Sequence, residues 1–421
     1  MVKTKYTMKI GFYGATGSWD FGDYAMMVHN IQEILSISED SEFFVFTPDK
    51  YVTLQVFVNN LMDLKQIRKI HIVDGPQCQI KFSIVERIAI KMHLLDYGSL
   101  CLKKVSKIYK SFCKGDWSLL SDEFKRVIEQ VDIMLFNGGG YLQYNWSIRN
   151  YHFSIAVKYA HVCGKPVYFL GNSIGPMKEF DWVIRDMIHD VDGIMIRDGM
   201  NYTKRLLDSY GYKKYVNGPD DLTFVNDIYK SVPMLNNYVI IEIASLIGHA
   251  QKGSQFVLSE FLGLIDYLTE TGKNVALVTL DKNDNHSFDY IDYLYDNARH
   301  KGKVIKFKEI GSIYEVFALY AHCDFSVSTK YHPVVLALGS NKPFIGIICG
   351  DDGYYEGKLK GACDNLSVPY NNHIIYVDSV KDGTLINFYE ENVDKKVVDN
   401  MELDRLKNIR NVFLRKVLSF N

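Results

Sequence analysis

The stretch Lys9–Leu35 decides the fold and reads KIGFYGATGSWDFGDYAMMVHNIQEIL. The short apolar run Lys9–Tyr13 predicts a β-strand, and the spacing of apolar residues over Asp23–Leu35 predicts a helix. Three glycines lie in the turn between them, where they let the backbone approach a ligand closely. A strand that passes directly into a helix is the unit from which parallel α/β sheets are built.

The same alternation of short strands and longer helices continues along the chain. Helices are predicted over Asp23–Leu35, Phe124–Val131 and Ile155–Cys163. Strands are predicted in two series, first Lys9–Tyr13, Phe43–Phe46, Lys69–Val73, Ile133–Phe136, Pro166–Leu170 and Gly193–Ile196, then Val239–Ile243, Asn274–Val278, Lys303–Lys306, Asp324–Ser328, Pro343–Ile347 and Ile374–Val377. We therefore expect an α/β fold of two Rossmann-like domains whose parallel sheets face a cleft, where such sheets bind ligands.

The segment Val225–Tyr238 separates the two series, because it loses apolar periodicity and contains Pro233. We predict an N-terminal α/β domain over residues 1–225, a C-terminal α/β domain over residues 238–385 and a C-terminal helix over residues 386–421. Apolar residues recur at helical spacing in this last segment. We expect that helix to cross back onto the first domain.

The composition indicates a folded globular protein, since the 421 residues are 47% hydrophobic and 23% charged. The 48 basic and 50 acidic side chains give a formal charge of −2, which does not favour nucleic acid as a partner. Seven cysteines without a CxxC spacing argue against a disulfide framework and a structural zinc site. We expect a cytoplasmic protein that binds no metal.

Residues 81–114 depart from this neutrality. They carry eight basic and two acidic side chains, a net charge of +6, with apolar residues between them at approximate helical spacing. A basic amphipathic segment is typical of proteins that lie on an anionic membrane surface. An ordinary surface helix with a solvated basic face is the alternative.

Two glycine-rich turns in the first half hold candidate catalytic and acceptor-binding residues. In the motif GSWDFGD, Asp23 is a candidate acid or base, or else a plain helix N-cap. In the motif NGGGYL, consecutive glycines after a strand indicate the close approach of a ligand or a crowded turn. The aromatic residues that follow can stack on a sugar face or belong to the core. The acceptor-binding candidates are Trp19, Gly139, Gly140, Tyr141 and Tyr144.

Candidate anion-binding residues follow strands in both halves of the chain. Arg197 ends a strand, where a guanidinium can bind the carboxylate or phosphate of a ligand, or form a salt bridge with Asp198 or another neighbouring carboxylate. The run Ser328–Pro333 joins a strand to a helix, so hydroxyls, Lys330, His332 and the helix N-terminus can bind an anion together. Lys358, further on, can supply another cation or be an ordinary surface lysine.

In their order along the chain, these motifs resemble those of the polysaccharide pyruvyl transferase family. The resemblance covers nearly the whole chain, and the ordered set of motifs carries it rather than any single one. The motifs are GSWDFGD, NGGGYL, GNSIGP, the strand end IRD, PDDL at Pro219–Leu222, CDFSVSTKYHPVVLALGSNKP at Cys323–Pro343, and GKLKG at Gly357–Gly361.

The resemblance implies a GT-B-like arrangement and transfer of the pyruvyl group of phosphoenolpyruvate to two sugar hydroxyls as a cyclic ketal. It implies no cofactor beyond that donor, and a glycan acceptor that is often built on a lipid at the inner face of the membrane. The family's Arg-x-His motif falls on Lys330–His332, so that Lys330 stands where arginine is usual. His332 and Asp23 are the candidate acid and base, in unassigned order. The candidate donor ligands are Arg197, Lys330, Thr329, Ser328 and Lys358.

Two other functions stay open from the sequence. The first is a nucleotide-sugar glycosyltransferase of the same architecture, although no Asp or Glu lies between Tyr331 and Lys342 to hold a ribose. The second is a non-catalytic relative that binds a glycan or an anion, an alternative that the lysine at position 330 keeps open.

Overall fold

The computed structural model of the chain describes residues 7–14, 16–60, 63–76, 82–199, 202–229, 231–281, 284–308, 311–350 and 353–419. The strands of the N-terminal half are β1 (Lys9–Tyr13), β2 (Glu42–Thr47), β3 (Ile70–Asp74), β4 (Ile133–Phe136), β5 (Gly139–Leu142), β6 (Val167–Ile174), β7 (Gly193–Ile196) and β8 (Tyr215–Asn217). Those of the C-terminal half are β9 (Tyr238–Glu242), β10 (Asn274–Val278), β11 (Val304–Phe307), β12 (Phe325–Ser328), β13 (Phe344–Ile348) and β14 (Ile374–Tyr376).

Helices connect the strands and cover both sheets. Those up to β9 are α1 (Phe21–Ile37), α2 (Lys50–Asn60), α3 (Leu64–Ile67), α4 (Ile84–Lys91), α5 (Tyr97–Phe112), α6 (Asp122–Gln130), α7 (Ser147–Val162), α8 (Asp181–Ile188), α9 (Thr203–Ser209) and α10 (Val225–Ile228). The later ones are α11 (Ser254–Glu270), α12 (Asn285–Asn297), α13 (Ile313–His322), α14 (Tyr331–Gly339), α15 (Tyr354–Asn365), α16 (Thr384–Asn392) and α17 (Asn400–Leu418).

Both sheets are parallel and have the Rossmann strand order. The first sheet runs β3-β2-β1-β4-β6-β7-β8, with β5 paired to β6, and the second runs β11-β10-β9-β12-β13-β14. Their strands are largely buried on both faces, which explains why they read as continuous apolar runs in the sequence. The predicted fold class is confirmed. The strand order reverses between β1 and β4 in one sheet and between β9 and β12 in the other, so ligand sites are expected beside these strands.

Two strands were not predicted from the sequence. The NGGGYL segment, predicted to be a turn, contains β5, which pairs with β6 through an irregular register. The sequence did not indicate this strand, because glycines lack the side chains that favour β-strands. The other, β8, is a three-residue edge strand whose residues are not buried.

The two domains share one hydrophobic cluster, which contains residues of both sheets such as Phe12 of β1 and Ile240 of β9. The backbone N–H of Phe21 also donates to the carbonyl of Leu280 across the domain boundary, at 3.1 Å. The domains therefore pack directly against each other around the cleft.

The C-terminal segment holds two helices rather than the single one predicted. The first, α16, packs on the second domain against α11, whereas α17 crosses back to the first domain, as expected. The buried Arg410 of α17 donates to Asp221 at 2.7 Å, to Asn30 at 2.6 Å and to Glu33 of α1. Because removing one partner of a buried ion pair is costly, this cluster fixes α17 on the first domain.

Candidate active site

One cavity of about 640 Å³ lies between the two domains, at the carboxyl ends of both sheets. Its walls come from the segments that follow β1, β4 and β7 in the first domain and β9, β10, β12 and β13 in the second. Seven of the predicted site residues line it, namely Asp23, Gly140, Tyr141, Arg197, Lys330, His332 and Lys358. The structure thus brings together residues from five separate parts of the chain.

Arg197 is buried at the base of the cavity. Its Nη1 donates to Asp220 at 2.5 Å, its Nε donates to Ser173 at 3.2 Å, and its Cζ lies 4.6 Å from the ring centroid of Tyr331. Its Nη2 is buried without a hydrogen-bond partner among the described residues. The predicted alternative was a salt bridge to Asp198 or another neighbouring carboxylate, and the carboxylate that Arg197 pairs with is Asp220. The hydrogens on Nη2 have no acceptor among the described residues.

Lys358 reaches the cavity from the first turns of α15. Its Nζ lies 3.9 Å from the ring centroid of Tyr354 and donates to the hydroxyl of that residue, which donates in turn to the carbonyl of Gly140 at 2.7 Å. A Cβ at Gly140 would collide with the end of the Lys358 side chain, so a larger residue there would displace the Lys358 ammonium from this position. Burial and then Arg197 lower the pKa of Lys358 to about 7.

His332 lies in the first turn of α14 and contacts the other domain. A Cβ at Gly22 would collide with the His332 imidazole, so the glycine of GSWDFGD is what lets α1 approach this ring. Its Nε2 is buried and lacks a hydrogen-bond partner in the described part of the chain. Burial and then Arg197 lower the pKa of His332 to about 3, so its imidazole is neutral at physiological pH.

Two carboxylates of the GSWDFGD motif behave differently. Asp20, not Asp23, is the N-cap of α1, and it accepts from the N–H of Gly22 at 3.1 Å. Burial raises the pKa of Asp20, but nearby positive charge, chiefly that of Lys330, outweighs burial and leaves this pKa below its usual value. Asp23 faces the cavity from the first turn of α1, where burial and then the charge of Asp20 raise its pKa to about 7. Such separation of two neighbouring carboxyls is typical of acid–base sites.

Lys330 joins the two domains. Its Nζ lies 3.3 Å from Asp281 and 3.7 Å from Asp20, one carboxylate from each domain. Burial lowers the pKa of Lys330, but these two carboxylates outweigh burial and raise it. Two carboxylates therefore compensate the charge of Lys330, whereas Arg197 has one carboxylate partner and an unpartnered Nη2 among the described residues, and Lys358 contacts a hydroxyl. Arg197 and Lys358 are thus the better placed cations for an anionic ligand.

The rim of the cavity is polar and aromatic. Tyr141 and Gln143 line the cavity from buried positions, and Asn145, Trp146 and Arg149 of the segment that follows β5 line it from less buried ones. Trp146 is partly exposed, and the guanidinium of Arg149 lies 4.8 Å from its ring centroid. An exposed aromatic face beside amide and guanidinium donors is suited to a sugar.

Five predicted site residues do not line the cavity. Ser328 and Thr329 are buried beneath it, where the Thr329 N–H donates to Glu242 at 2.9 Å and its hydroxyl accepts from the N–H of Ala244. Gly139 starts β5, Trp19 packs against the shared hydrophobic cluster, and the ring of Tyr144 is covered by Lys178, whose Nζ is 3.4 Å from its centroid. Their predicted ligand contacts stay predictions, and the geometry gives these residues supporting positions.

Sequence reasoning missed several residues that line the cavity. Trp146 was already among the aromatic residues after the NGGGYL glycines that could stack on a sugar. Asn145, beside it, and Asp20, inside GSWDFGD, were missed, although motif proximity was a usable signal for both. Asp281 and Arg149 have no motif of their own, and only the tertiary fold brings them to the cavity. Among the described residues, no cluster of three or more His, Cys, Asp or Glu side chains is arranged to hold a metal ion.

Two Rossmann-like domains with an anion- and sugar-compatible cavity at both switch points define a protein of the GT-B-like class. The family model of the polysaccharide pyruvyl transferases matches residues 20–351, well over half of the chain. The chain belongs to this family and is a transferase, as the sequence motifs predicted.

Individual relatives are distant. The amylovoran biosynthesis protein AmsJ of Erwinia amylovora is 20% identical over 318 residues, which cover 68% of this chain and 72% of that protein. The UDP-GlcNAc 2-epimerase of Methanocaldococcus jannaschii has a TM-score of 0.55 at 12% identity, over 96% of this chain and 100% of that one. UGT73P12 of Glycyrrhiza uralensis has a TM-score of 0.52 at 11% identity, over 98% and 90% of the two chains. At such identities the solved structures show the fold alone.

Proposed function

We propose that this transferase moves the pyruvyl group of phosphoenolpyruvate onto two hydroxyls of a glycan sugar, forming a cyclic ketal and releasing phosphate. The observation that carries the proposal is the convergence of Arg197, Lys358, His332 and Asp23 on one cavity, beside an aromatic and polar rim. The first two supply positive charge and N–H donors, and the other two supply groups that can exchange a proton.

Donor binding requires sites for a carboxylate and a phosphate. The unpartnered Nη2 of Arg197 and the ammonium of Lys358 can each take one of these anions. Both groups are held in place before the donor arrives, by Asp220 and Tyr354 respectively. Such prearranged donors cost little reorganisation when the ligand binds.

The first half of the reaction adds a sugar hydroxyl across the enol double bond. A proton from the acid goes to the methylene carbon, which becomes a methyl group, and positive charge develops at the carbon that carries the phosphate. The sugar oxygen bonds to that carbon while the base takes the hydroxyl proton. The product of this half is a tetrahedral adduct that still carries the phosphate.

The second half replaces the phosphate by the second hydroxyl. The bond between carbon and phosphate oxygen breaks, and phosphate leaves with the electron pair. The second sugar oxygen then bonds to the same carbon and closes the ketal ring. Its proton returns to the acid, and the proton on the base leaves with the phosphate, so that one donor and one diol give one ketal and one phosphate.

The pKa values favour Asp23 as the acid and His332 as the base. Because the pKa of Asp23 is about 7, a large share of this carboxyl holds a proton near neutral pH. His332 is neutral and can accept one, and the charge of a bound donor raises its pKa from the low value of the free protein. The negative charge of the donor also keeps Asp23 protonated. Donor binding therefore makes Asp23 a proton donor and His332 a stronger proton acceptor.

The acceptor would enter over Trp146, whose exposed ring can stack on a sugar beside Asn145 and Arg149. A cavity of about 640 Å³ would take the donor and one sugar ring, so the rest of a longer glycan would extend past this rim. We propose a lipid-linked oligosaccharide as the acceptor, modified at the cytoplasmic face of the membrane.

Titration of phosphoenolpyruvate into the protein at about pH 8 is expected to take up protons. Lys358 and Asp23 are largely deprotonated there, since both have a pKa of about 7, and the negative charge of the donor raises both. At about pH 6 both groups already hold protons, so their uptake is small. Calorimetry in two buffers of different ionisation enthalpy measures the number of protons, and a UDP-sugar serves as the competing ligand.

Lys358→Met should reduce that uptake by up to about one proton and weaken binding of the donor. Lys360→Met is the matched control, because Lys360 lies on the same helix, pairs with Glu356 at 2.6 Å and does not line the cavity. Tight binding of the UDP-sugar without binding of phosphoenolpyruvate would favour the glycosyltransferase alternative and refute the proposed donor.

A further inference from the structure

Helix α4 and the turn after it expose apolar side chains in one cluster. Ile84, Val85, Met92 and Leu94 are 76%, 75%, 62% and 71% exposed, and Ile88, Leu95 and Tyr97 are exposed as well. No residue of α4 is buried. Single exposed apolar residues need no explanation, but a contiguous cluster of this kind is typical of a surface that binds another protein or a membrane.

The cluster is held in a defined shape by contacts within its own segment. Ser83 and Glu86 form a capping box at the start of α4, Glu86 pairs with Lys104 of α5 at 2.9 Å, and the rings of Phe82 and Tyr97 lie 5.6 Å apart. The two helices therefore form a small hairpin that is ordered although α4 contributes nothing to the core.

Positive charge borders the apolar side chains. Ile84, Ile88 and Met92 are four residues apart and lie along one side of α4, with the exposed Arg87 and Lys91 beside them. Both acidic residues of the segment are already engaged, since Glu86 pairs with Lys104 and Asp96 accepts from the N–H of Ser99 at 2.6 Å. The face that meets solvent is thus apolar and positively charged.

Only part of the basic segment predicted at residues 81–114 has this character. Helix α5 buries its apolar side, including Val105, Tyr109 and Phe112, in the second hydrophobic cluster, so its apolar residues are core. Its exposed lysines form a solvated basic face, as the alternative interpretation expected. Lys81 lies outside the described residues.

The hairpin projects past the edge of the first sheet that carries the cavity. The ring of Tyr109 in α5 contacts that of Tyr151 in α7, and Trp117, which stacks on Phe112 at the end of α5, contacts Tyr159 further along α7. The two helices therefore run in the same direction. Helix α5 starts twelve residues before Tyr109, whereas α7 starts four residues before Tyr151, beside the cavity rim. At 1.5 Å per residue, α5 extends about 12 Å beyond that rim.

We propose that α4 and the turn to Tyr97 dock onto an anionic phospholipid bilayer, with the apolar side chains among the acyl chains and Arg87 and Lys91 at the headgroups. Arg87 and Lys91 have no ion-pair partner among the described residues, and such positive charge around an aliphatic cluster complements an anionic bilayer. The docking itself does not depend on the donor or the reaction. It would also bring the cavity rim towards a lipid-linked acceptor, a consequence that does rest on the proposed function.

The test is co-sedimentation of the full chain with vesicles of phosphatidylcholine alone or mixed with phosphatidylglycerol, at low and high salt, without donor or acceptor. Binding is expected only to the mixed vesicles and should weaken with salt. Arg87→Gln with Lys91→Gln, and separately Ile84→Ser with Ile88→Ser, should each reduce the partition coefficient about tenfold or more.

Two double variants serve as matched controls. Lys395→Gln with Lys396→Gln removes exposed charge, and Met401→Ser with Val412→Ser removes exposed apolar groups, both far along the chain from α4. Equal partitioning of all variants, or no binding to either vesicle type, would overturn the proposal. A dimer in solution that the Ile84/Ile88 variant dissociates would overturn it too, because the cluster would then be a protein interface.

Discussion

Replacing His332 by alanine is expected to lower kcat by a factor of about 10² to 10⁴ while the protein stays folded. The imidazole lies at the cavity with an unpartnered Nε2 and is the proposed base for the attacking hydroxyl. Steady-state release of phosphate from phosphoenolpyruvate, in the presence of acceptor, measures the loss. The KM for the donor should change much less than kcat, because the proposed role is proton transfer rather than binding.

His29 provides the matched control for this variant. It is buried in α1, both of its ring nitrogens lack a hydrogen-bond partner among the described residues, and burial lowers its pKa to about 4. It therefore resembles His332 in environment but does not line the cavity. His29→Ala should reduce the melting temperature and leave the kcat of the folded enzyme nearly unchanged. Activity of His332→Ala within about threefold of the parent would exclude its role as base.

Arg197→Lys is expected to raise the KM for phosphoenolpyruvate by a factor of about 10 to 100. Lysine can keep an ion pair with Asp220, but it loses the Nη2 group that the donor is proposed to meet. We choose lysine rather than alanine because alanine would leave Asp220 as an uncompensated buried charge, at a cost of about 3 to 5 kcal/mol of folding stability.

Arg410→Lys is the control for Arg197→Lys. Arg410 is equally buried and also pairs with a carboxylate of the Pro219–Leu222 motif, but it anchors α17 and does not line the cavity. Its substitution should lower the melting temperature without a comparable change in KM. A parent-like KM for Arg197→Lys, or equal rises in KM for both variants, would show that Arg197 is structural.

The sequence predicted the fold well because its signals are local. Buried parallel strands are apolar on both faces, so runs such as Ile133–Phe136 are recognisable without any tertiary information. Part of the site was predictable for a similar reason. Residues that follow strands lie at the carboxyl edge of a parallel sheet, and Asp23, Arg197 and His332 follow β1, β7 and β12, so they could be expected to lie at the same cavity.

What the sequence could not predict depends on contacts between distant residues. The charge of Lys330 is compensated by Asp20 and Asp281, and nothing local indicates that these residues meet. The sequence left the order of acid and base open, and the order proposed above rests on the raised pKa of Asp23 and the lowered pKa of His332, which burial causes in both. Likewise, helices α4 and α5 have similar patterns of apolar and basic residues in the sequence. Only the tertiary structure shows that the apolar side of α5 is buried in the core whereas that of α4 is exposed.

The most direct test of the proposed reaction is mass spectrometry of the acceptor glycans, combined with a phosphate assay. The purified protein is incubated with phosphoenolpyruvate and a glycolipid extract of the cells in which it is native, and a parallel incubation contains UDP-sugars instead. We predict that one glycan species gains the mass of a single pyruvylidene group and that one phosphate is released for each group transferred. Unchanged glycan masses with phosphoenolpyruvate, or a gain of a hexose mass from a UDP-sugar, would contradict the account.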